Sequence, residues 1–310
     1  MGSTRLVTGS AGFIGSTLVD SLQAAGHVVR GVDRAECRRP SGCAARRVDL
    51  ASDELDALLR DVDVVYHLAG RPGVQTSWGA GFEHHVRDNI VATDRLLDAA
   101  ARTGVRRVVM ASSSSVYGAT RRRSGSGGQT RPVSPYGVTK LAAEQLAGVY
   151  AQRGLDVVVL RLFTVYGPRQ RADMAIHRII AAAIDGPAFA LRGDGSQRRS
   201  FTHVDDVVRA LELVAEHPHV AGATFDVGGR RQASLVELLA VVEALTGRSV
   251  PVQRVPRPPG DPDVVLAHPG PLEALGWRPS VELTYGIGTQ VDWQCGVAGR
   301  GARDLMGARR

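Results

Sequence analysis

Short apolar runs alternate with longer amphipathic stretches from the start of the chain. Arg5–Thr8, His27–Asp33, Val62–Leu68, Arg107–Ser112 and Val157–Leu162 are rich in valine and leucine at consecutive rather than alternate positions. That is the pattern of strands buried on both faces. Between them, Ile14–Ala25, Asp53–Leu59, Asn89–Thr103 and Tyr136–Arg153 carry apolar residues at helical spacing. Strict strand–helix alternation predicts an α/β fold: a doubly wound parallel sheet with helices on both faces. Beyond about residue 165 the pattern loosens, with punctuation at Gly167-Pro168, Gly186-Pro187 and Gly193–Gly195. Arg254–Pro262 reads as a proline-rich loop, and no internal repeat is present. These breaks predict a first unit over 1–164, to which 201–225 returns. A smaller mixed α/β unit is expected from 165–200 and 226–295, and a flexible Gly/Arg-rich tail over 296–310.

The 310 residues, 44% apolar and 22% charged, suffice for a sizeable core in one or two domains. No window approaches the roughly 18 uninterrupted apolar residues of a membrane span. The first strand begins without a charged, apolar and small-residue leader, so no secretory signal and no membrane partner are expected. Three cysteines (Cys37, Cys43, Cys295) lack metal-ligand spacing and fit a reduced cytoplasm. The formal charge is +7 from 38 basic and 31 acidic residues, and Lys140 is the one lysine. The arginines are scattered, the runs at Arg121–Arg123 and Arg309-Arg310 lie in Gly-rich stretches, and aromatics make up 5%. Nucleic acid is therefore not an expected partner. No metal is expected either, because adjacent His84 and His85 point to different helix faces and no His–carboxylate cluster has ligand spacing.

The chemistry begins at Gly9-Ser-Ala-Gly12-Phe13-Ile14-Gly15, which follows a strand and opens a helix. Glycines there permit a tight turn and let a pyrophosphate approach the helix N-terminus. Asp33 ends the second strand, where a carboxylate accepts hydrogen bonds from an adenosine ribose and repels a 2′-phosphate, favouring NAD over NADP. Arg34 beside it pulls the other way, since a guanidinium accepts a phosphate. Asp49-Leu50 reads either as an adenine contact or as a helix cap. Tyr136 and Lys140 share one face of a helix at i, i+4. An ammonium beside a phenol lowers the phenol's pKa towards that of a usable base. Ser112–Ser115 ends the preceding strand and brings hydroxyls near that phenol.

In these motifs the chain resembles the extended short-chain dehydrogenase/reductase family, in its nucleotide-sugar epimerase and dehydratase branch. Further matching pieces are His67-Leu68-Ala69-Gly70, Asn89, Ser113–Gly118, Ser134–Lys140, Arg161–Gly167 and Gly193–Asp205, in order over roughly 5–280. The resemblance implies NAD as cofactor, held by Gly9, Gly12, Phe13, Ile14, Gly15, Asp33, Asp49, Leu50, Leu68, Ala69, Gly70, Asn89, Tyr136, Lys140 and Phe163. It implies a catalytic set of Ser113, Tyr136 and Lys140, and a nucleotide-sugar partner in the second unit. Arg199 and Arg257 fall where the family grips the sugar diphosphate. The family's dimers pair through the helices read here as Asn89–Thr103 and Tyr136–Arg153, which implies a homodimer.

Within the branch, dehydratases carry carboxylates after the catalytic serine, and uronate decarboxylases have a glutamate in that turn. Ser114 and Ser115 stand there instead, which disfavours water or CO2 loss and leaves 4-epimerisation. Thr164 replaces the asparagine usual in glucose/galactose epimerases, and Pro168–Ala175 resembles the segment of UDP-glucuronate 4-epimerases. Arg171 with Thr164, Ser114 and Ser115 makes a set suited to a sugar carboxylate. Alternatively Arg171 pairs with Asp173 on a loop, and the two serines are small residues packed under nicotinamide. Arg199-Ser-Phe replaces the commoner Arg-Asp-Phe. Arg192 stands where an aromatic often faces the base, a place at which a guanidinium also stacks. The expectation is a UDP-glucuronate/UDP-galacturonate 4-epimerase. The alternatives are a UDP-glucose/UDP-galactose epimerase, a ketoreductase or decarboxylase, and a non-catalytic NAD-binding protein.

Overall fold

The computed structural model describes residues 3–35, 45–118, 129–229, 231–256 and 264–296. Cys37, Cys43, Arg121–Arg123, Arg257 and the tail beyond 296 lie outside them. The first six strands are β1 (Thr4–Thr8), β2 (Val28–Asp33), β3 (Ala45–Arg47), β4 (Val64–His67), β5 (Arg107–Ser113) and β6 (Val157–Leu162). After β7 (Thr164–Tyr166), β8 (Phe189–Arg192) and β9 (Arg198–His203) comes β10 (Thr224–Val227). The large sheet runs β10-β6-β5-β4-β1-β2-β3, and every pairing in it is parallel. The expected Rossmann-like sheet is thus observed.

Its consecutive apolar residues serve opposite faces, because successive strand side chains alternate. Leu6, Val65 and Val108 pack with Leu96, Leu97, Ala143 and Ala147, from α4 (Ala92–Thr103) and α5 (Pro135–Gln152). Their neighbours Val7, Val64 and Val109 pack with Leu18, Leu22, Val207 and Leu211, from α1 (Phe13–Ala24) and α7 (Val204–Glu216). The order in which successive strands are added reverses between β1 and β4, which opens a crevice at the C-terminal ends of those parallel strands.

The helix read as Asn89–Thr103 is longer and interrupted. A helical segment Gly81–Val86 runs into a π turn, Arg87–Val91, before α4. The wider turn keeps both Asp88 and Asn89 buried on the side of the crevice, a common use of π turns. The short helix read as Asp53–Leu59 forms only at Asp56–Leu59.

The chain passes between the two parts more often than its Gly/Pro punctuation indicates. Phe201–His203 lies in the smaller sheet, where β9 pairs with β7, with β11 (Gln232–Ser234) and with β13 (Val264–Val265). What returns to the large sheet is α7 and the edge strand β10, and Leu272 and Trp277 join their core. Arg254 and Val255, read as loop, belong to β12 (Val252–Val255), which pairs with β8. Pro251, just before it, accepts the Phe189 amide, so this proline sits at the entry to an edge strand, where a missing N–H is tolerated. A separate core of Ile176, Ile179, Phe189, Leu191, Leu238, Val242 and Ile287 holds the smaller part together.

Candidate active site

The crevice is a cavity of about 590 Å3 that reaches from Asp33 at one end to Arg171 and Met174 at the other. At its floor the glycine turn is built without room for side chains. Gly9 has φ +70° and sits against the Leu68–Ala69 backbone, where an added Cβ would be 2.8 Å from the Ala69 nitrogen. On Gly15 a Cβ would be 2.2 Å from the Gly9 carbonyl oxygen. Gly12 caps α1 with its own backbone, so the first-turn amides of that helix stay open towards the cavity. A cradle that a single methyl group would fill fits a dinucleotide pyrophosphate.

Asp33 is fixed by two amides, accepting from Ala11 at 3.1 Å and Ala35 at 3.0 Å. Arg34 turns to Asp88, donating from both terminal nitrogens at 2.9 Å. Asp49 accepts from the Ala51 amide as a local cap and from Arg87, and it also lines the cavity with Leu50. Burial would raise its carboxyl, but Arg87, the Ala51 amide and the Arg34 charge leave it below the ordinary value. Phe13, Ile14, Leu68, Ala69, Gly70 and Phe163 line the walls.

Asn89 accepts from the Arg71 amide at 2.7 Å and donates to the Arg71 carbonyl and to Thr139 on α5. His67 bridges Thr8 and Thr93 at 2.9 Å on each side. Burial and the Lys140 charge push it down to about 3, so it is a neutral spacer.

The residues expected to be catalytic come from two elements. Ser134 caps α5 by accepting the Gly137 amide, and Pro135 starts the helix, so Tyr136 and Lys140 project from its first turns. Ser113 ends β5 and accepts the Ser115 amide. Lys140 donates to the Ala111 carbonyl of β5 at 2.7 Å. Burial pulls its ammonium down to about 8, against an upward push from Glu144. Burial raises the Tyr136 phenol, and what opposes burial there is the Ser113 hydrogen bond and the Arg171 charge.

At the far end, Ser114, Ser115, Thr164 and Arg171 all line the cavity. Arg171 also makes the alternative contact, an ion pair in which Nε and one terminal nitrogen reach Asp173 at 2.8 and 2.7 Å. Arg192 is exposed at the end of β8, and Arg199 on β9 donates to the Arg198 carbonyl. Neither belongs to the cavity wall.

Several site residues escaped sequence reasoning. Arg71 and Asp88 border the cavity, and the buried His85 ring stands edge-on to Tyr136, centroids 5.9 Å apart. Beneath the catalytic set, Glu144 accepts from Ser112 and is gripped by Arg161, which also donates to Tyr117, itself a donor to Asp226. The Glu144 spacing of four from Lys140 was the one signal that could have pointed to it. Among the described residues no group of His, Cys, Asp and Glu is placed to hold a metal ion, and no helix is long and apolar enough to cross a membrane.

Residues 5–228 match the sequence model of the NAD dependent epimerase/dehydratase family. The uncharacterized UDP-glucose epimerase YtcB of Bacillus subtilis is 36% identical over 92% of this chain and 96% of its own length. MoeE5, solved in complex with UDP-glucuronic acid and NAD, superposes with a TM-score of 0.91 at 42% identity, over 95% of this chain and 99% of that one. It has also been solved with UDP-glucose and NAD. UDP-glucuronic acid 4-epimerase from Bacillus cereus, bound to UDP-glucuronic acid and NAD, gives a TM-score of 0.90 at 36% identity, with the same shares covered.

Proposed function

The chain belongs to the NAD dependent epimerase/dehydratase family, and from that premise we propose that it is a 4-epimerase interconverting UDP-glucuronate and UDP-galacturonate. The observation that carries the uronate is the make-up of the catalytic end of the cavity. Ser113, Ser114, Ser115, Tyr136 and Thr164 bring hydroxyls, Arg171 brings a guanidinium paired with Asp173, and no carboxylate among the described residues lines that end itself. An anionic sugar carboxyl suits that wall.

Tyr136, as phenolate, removes the proton of the sugar's C4 hydroxyl. Its Ser113 partner is placed to hydrogen-bond the reacting oxygen as it passes from alcohol to ketone and back. The Gly9–Gly15 turn would hold the pyrophosphate of NAD and Asp33 its ribose, and the bound cofactor would supply the hydride acceptor and donor for that carbon. Lys140, anchored on Ala111, adds positive charge beside the reacting groups. Elimination needs a general acid at Ser114 or Ser115, and a serine hydroxyl is a poor one. A 4-keto uronate is a β-keto acid, which loses CO2 when its carboxylate bond aligns with the carbonyl π system. Arg171, Thr164 and the two serines, by gripping the carboxylate, hold it out of that alignment.

One observation favours a neutral hexose instead: two nitrogens of Arg171 are already engaged by Asp173. The two readings part in the kinetics of Arg171→Met. For the uronate reading, kcat/KM with UDP-glucuronate falls about 10- to 100-fold, the worth of a charge-assisted bond, while any UDP-glucose turnover is spared. Equal losses on both sugars would contradict it. The family's homodimer is part of this reading, since Val91, Val138 and Val149 stand exposed on the two helical segments that would pair.

A further inference from the structure

Arg34 follows Asp33 directly, and both side chains border the adenosine end of the cavity. A guanidinium in that position is the natural acceptor for a 2′-phosphate, so the chain carries opposite signals in adjacent residues. The structure resolves the conflict through a third residue. Asp88, buried in the π turn, takes both terminal nitrogens of Arg34 at 2.9 Å, Nε of Arg71 at 2.8 Å and a terminal nitrogen of Arg87 at 3.3 Å. A carboxylate has about four acceptor positions, and four N–H groups from three arginines fill them. Arg71 also lines the cavity, so two of the guanidiniums that border it are drawn onto one carboxylate. Asp33 meanwhile is held by two backbone amides and by no arginine among the described residues.

We propose that Asp88 is a cofactor-selectivity residue: by holding Arg34 and Arg71 in ion pairs, it withholds the two cations that would otherwise accept the 2′-phosphate of NADP. Discrimination then has two parts. Asp33 repels the phosphate, and Asp88 denies it partners. The π turn is what brings Asp88 within reach of Arg34, 54 residues away in sequence. Asn at position 88 keeps the shape and loses the charge, which frees Arg34 to swing to the ribose.

Calorimetric titration of NAD+ and NADP+ into the purified full chain reads this directly, without turnover. In Asp88→Asn the ratio of the NADP+ to the NAD+ dissociation constant falls about tenfold, and adding Arg34→Leu takes that gain back. In the wild-type background Arg34→Leu leaves the NADP+ constant within about twofold, because Arg34 is already engaged. An unchanged ratio in a folded Asp88→Asn protein overturns the proposal. So does weaker NADP+ binding in Arg34→Leu alone, a test that does not depend on whether Asp88→Asn folds.

Discussion

A methyl group on Gly15 would stand 2.2 Å from the Gly9 carbonyl oxygen, a backbone atom rather than the end of a flexible side chain. Gly15→Ala therefore forces the turn open. The expected result is a loss of about 1–3 kcal/mol in denaturant unfolding, together with a clear weakening of NAD+ binding by calorimetry. Unchanged binding would mean that the turn does not cradle the cofactor. Residues of this kind are legible from sequence because a local rule sets them. A glycine trio between strand and helix, a carboxylate ending the second strand, and Tyr and Lys four apart each need only their neighbours. Arg71 and Asp88 are not legible in that way, since their partnership depends on a π turn that no periodicity announces. Arg171 was left with two readings: the ion pair with Asp173 forms, and the side chain also lines the cavity in which the proposed carboxylate role would be played.

The element that matters most is α5, which carries Tyr136 and Lys140 and is tied to β5 at two points. Lys140 holds the Ala111 carbonyl, and one turn later Glu144 holds Ser112. Glu144 and Arg161 are both largely buried, at 6% and 12% exposure, so removing one charge strands the other. Glu144→Gln is expected to destabilise the fold by about 3–5 kcal/mol. It also carries a signature that a purely structural loss would not give. Glu144 pushes the Lys140 ammonium up against burial, so without it Lys140 loses its proton at lower pH. The alkaline limb of the pH–rate profile moves towards neutrality, and a limb that stays in place would contradict the link. Further along the same helix, Gly148 has open space around its Cβ position and an ordinary φ. Gly148→Ala should stabilise the chain by about 0.5–1 kcal/mol in thermal unfolding. The helix itself was legible from its spacing. The Glu144–Arg161 pair was not, because strand and helix meet there only in the folded chain.

At the scale of the whole molecule, the parallel sheet followed from consecutive apolar residues, and the crevice follows from the reversal between β1 and β4. What the pattern did not reveal is how the chain threads back and forth, with β9 in the small sheet and β10 at the edge of the large one. Those crossings rest on long-range pairing rather than on local composition. They carry Thr164 and Arg171, which follow β6, to the mouth of the same cavity that the glycine turn floors. The glycine turn, the Tyr136–Lys140 pair and the hydroxyl- and Arg171-lined end thus share one continuous cavity, which is what the proposed reaction needs if a carbon is to be oxidised and reduced again without release of the sugar. The most direct test of that account is proton NMR of the full chain with UDP-glucuronate carrying deuterium at C4. The prediction is UDP-galacturonate with deuterium retained at C4 and no net NADH. A solvent proton at C4, a UDP-pentose product, or turnover of UDP-glucose with none of the uronate would contradict it.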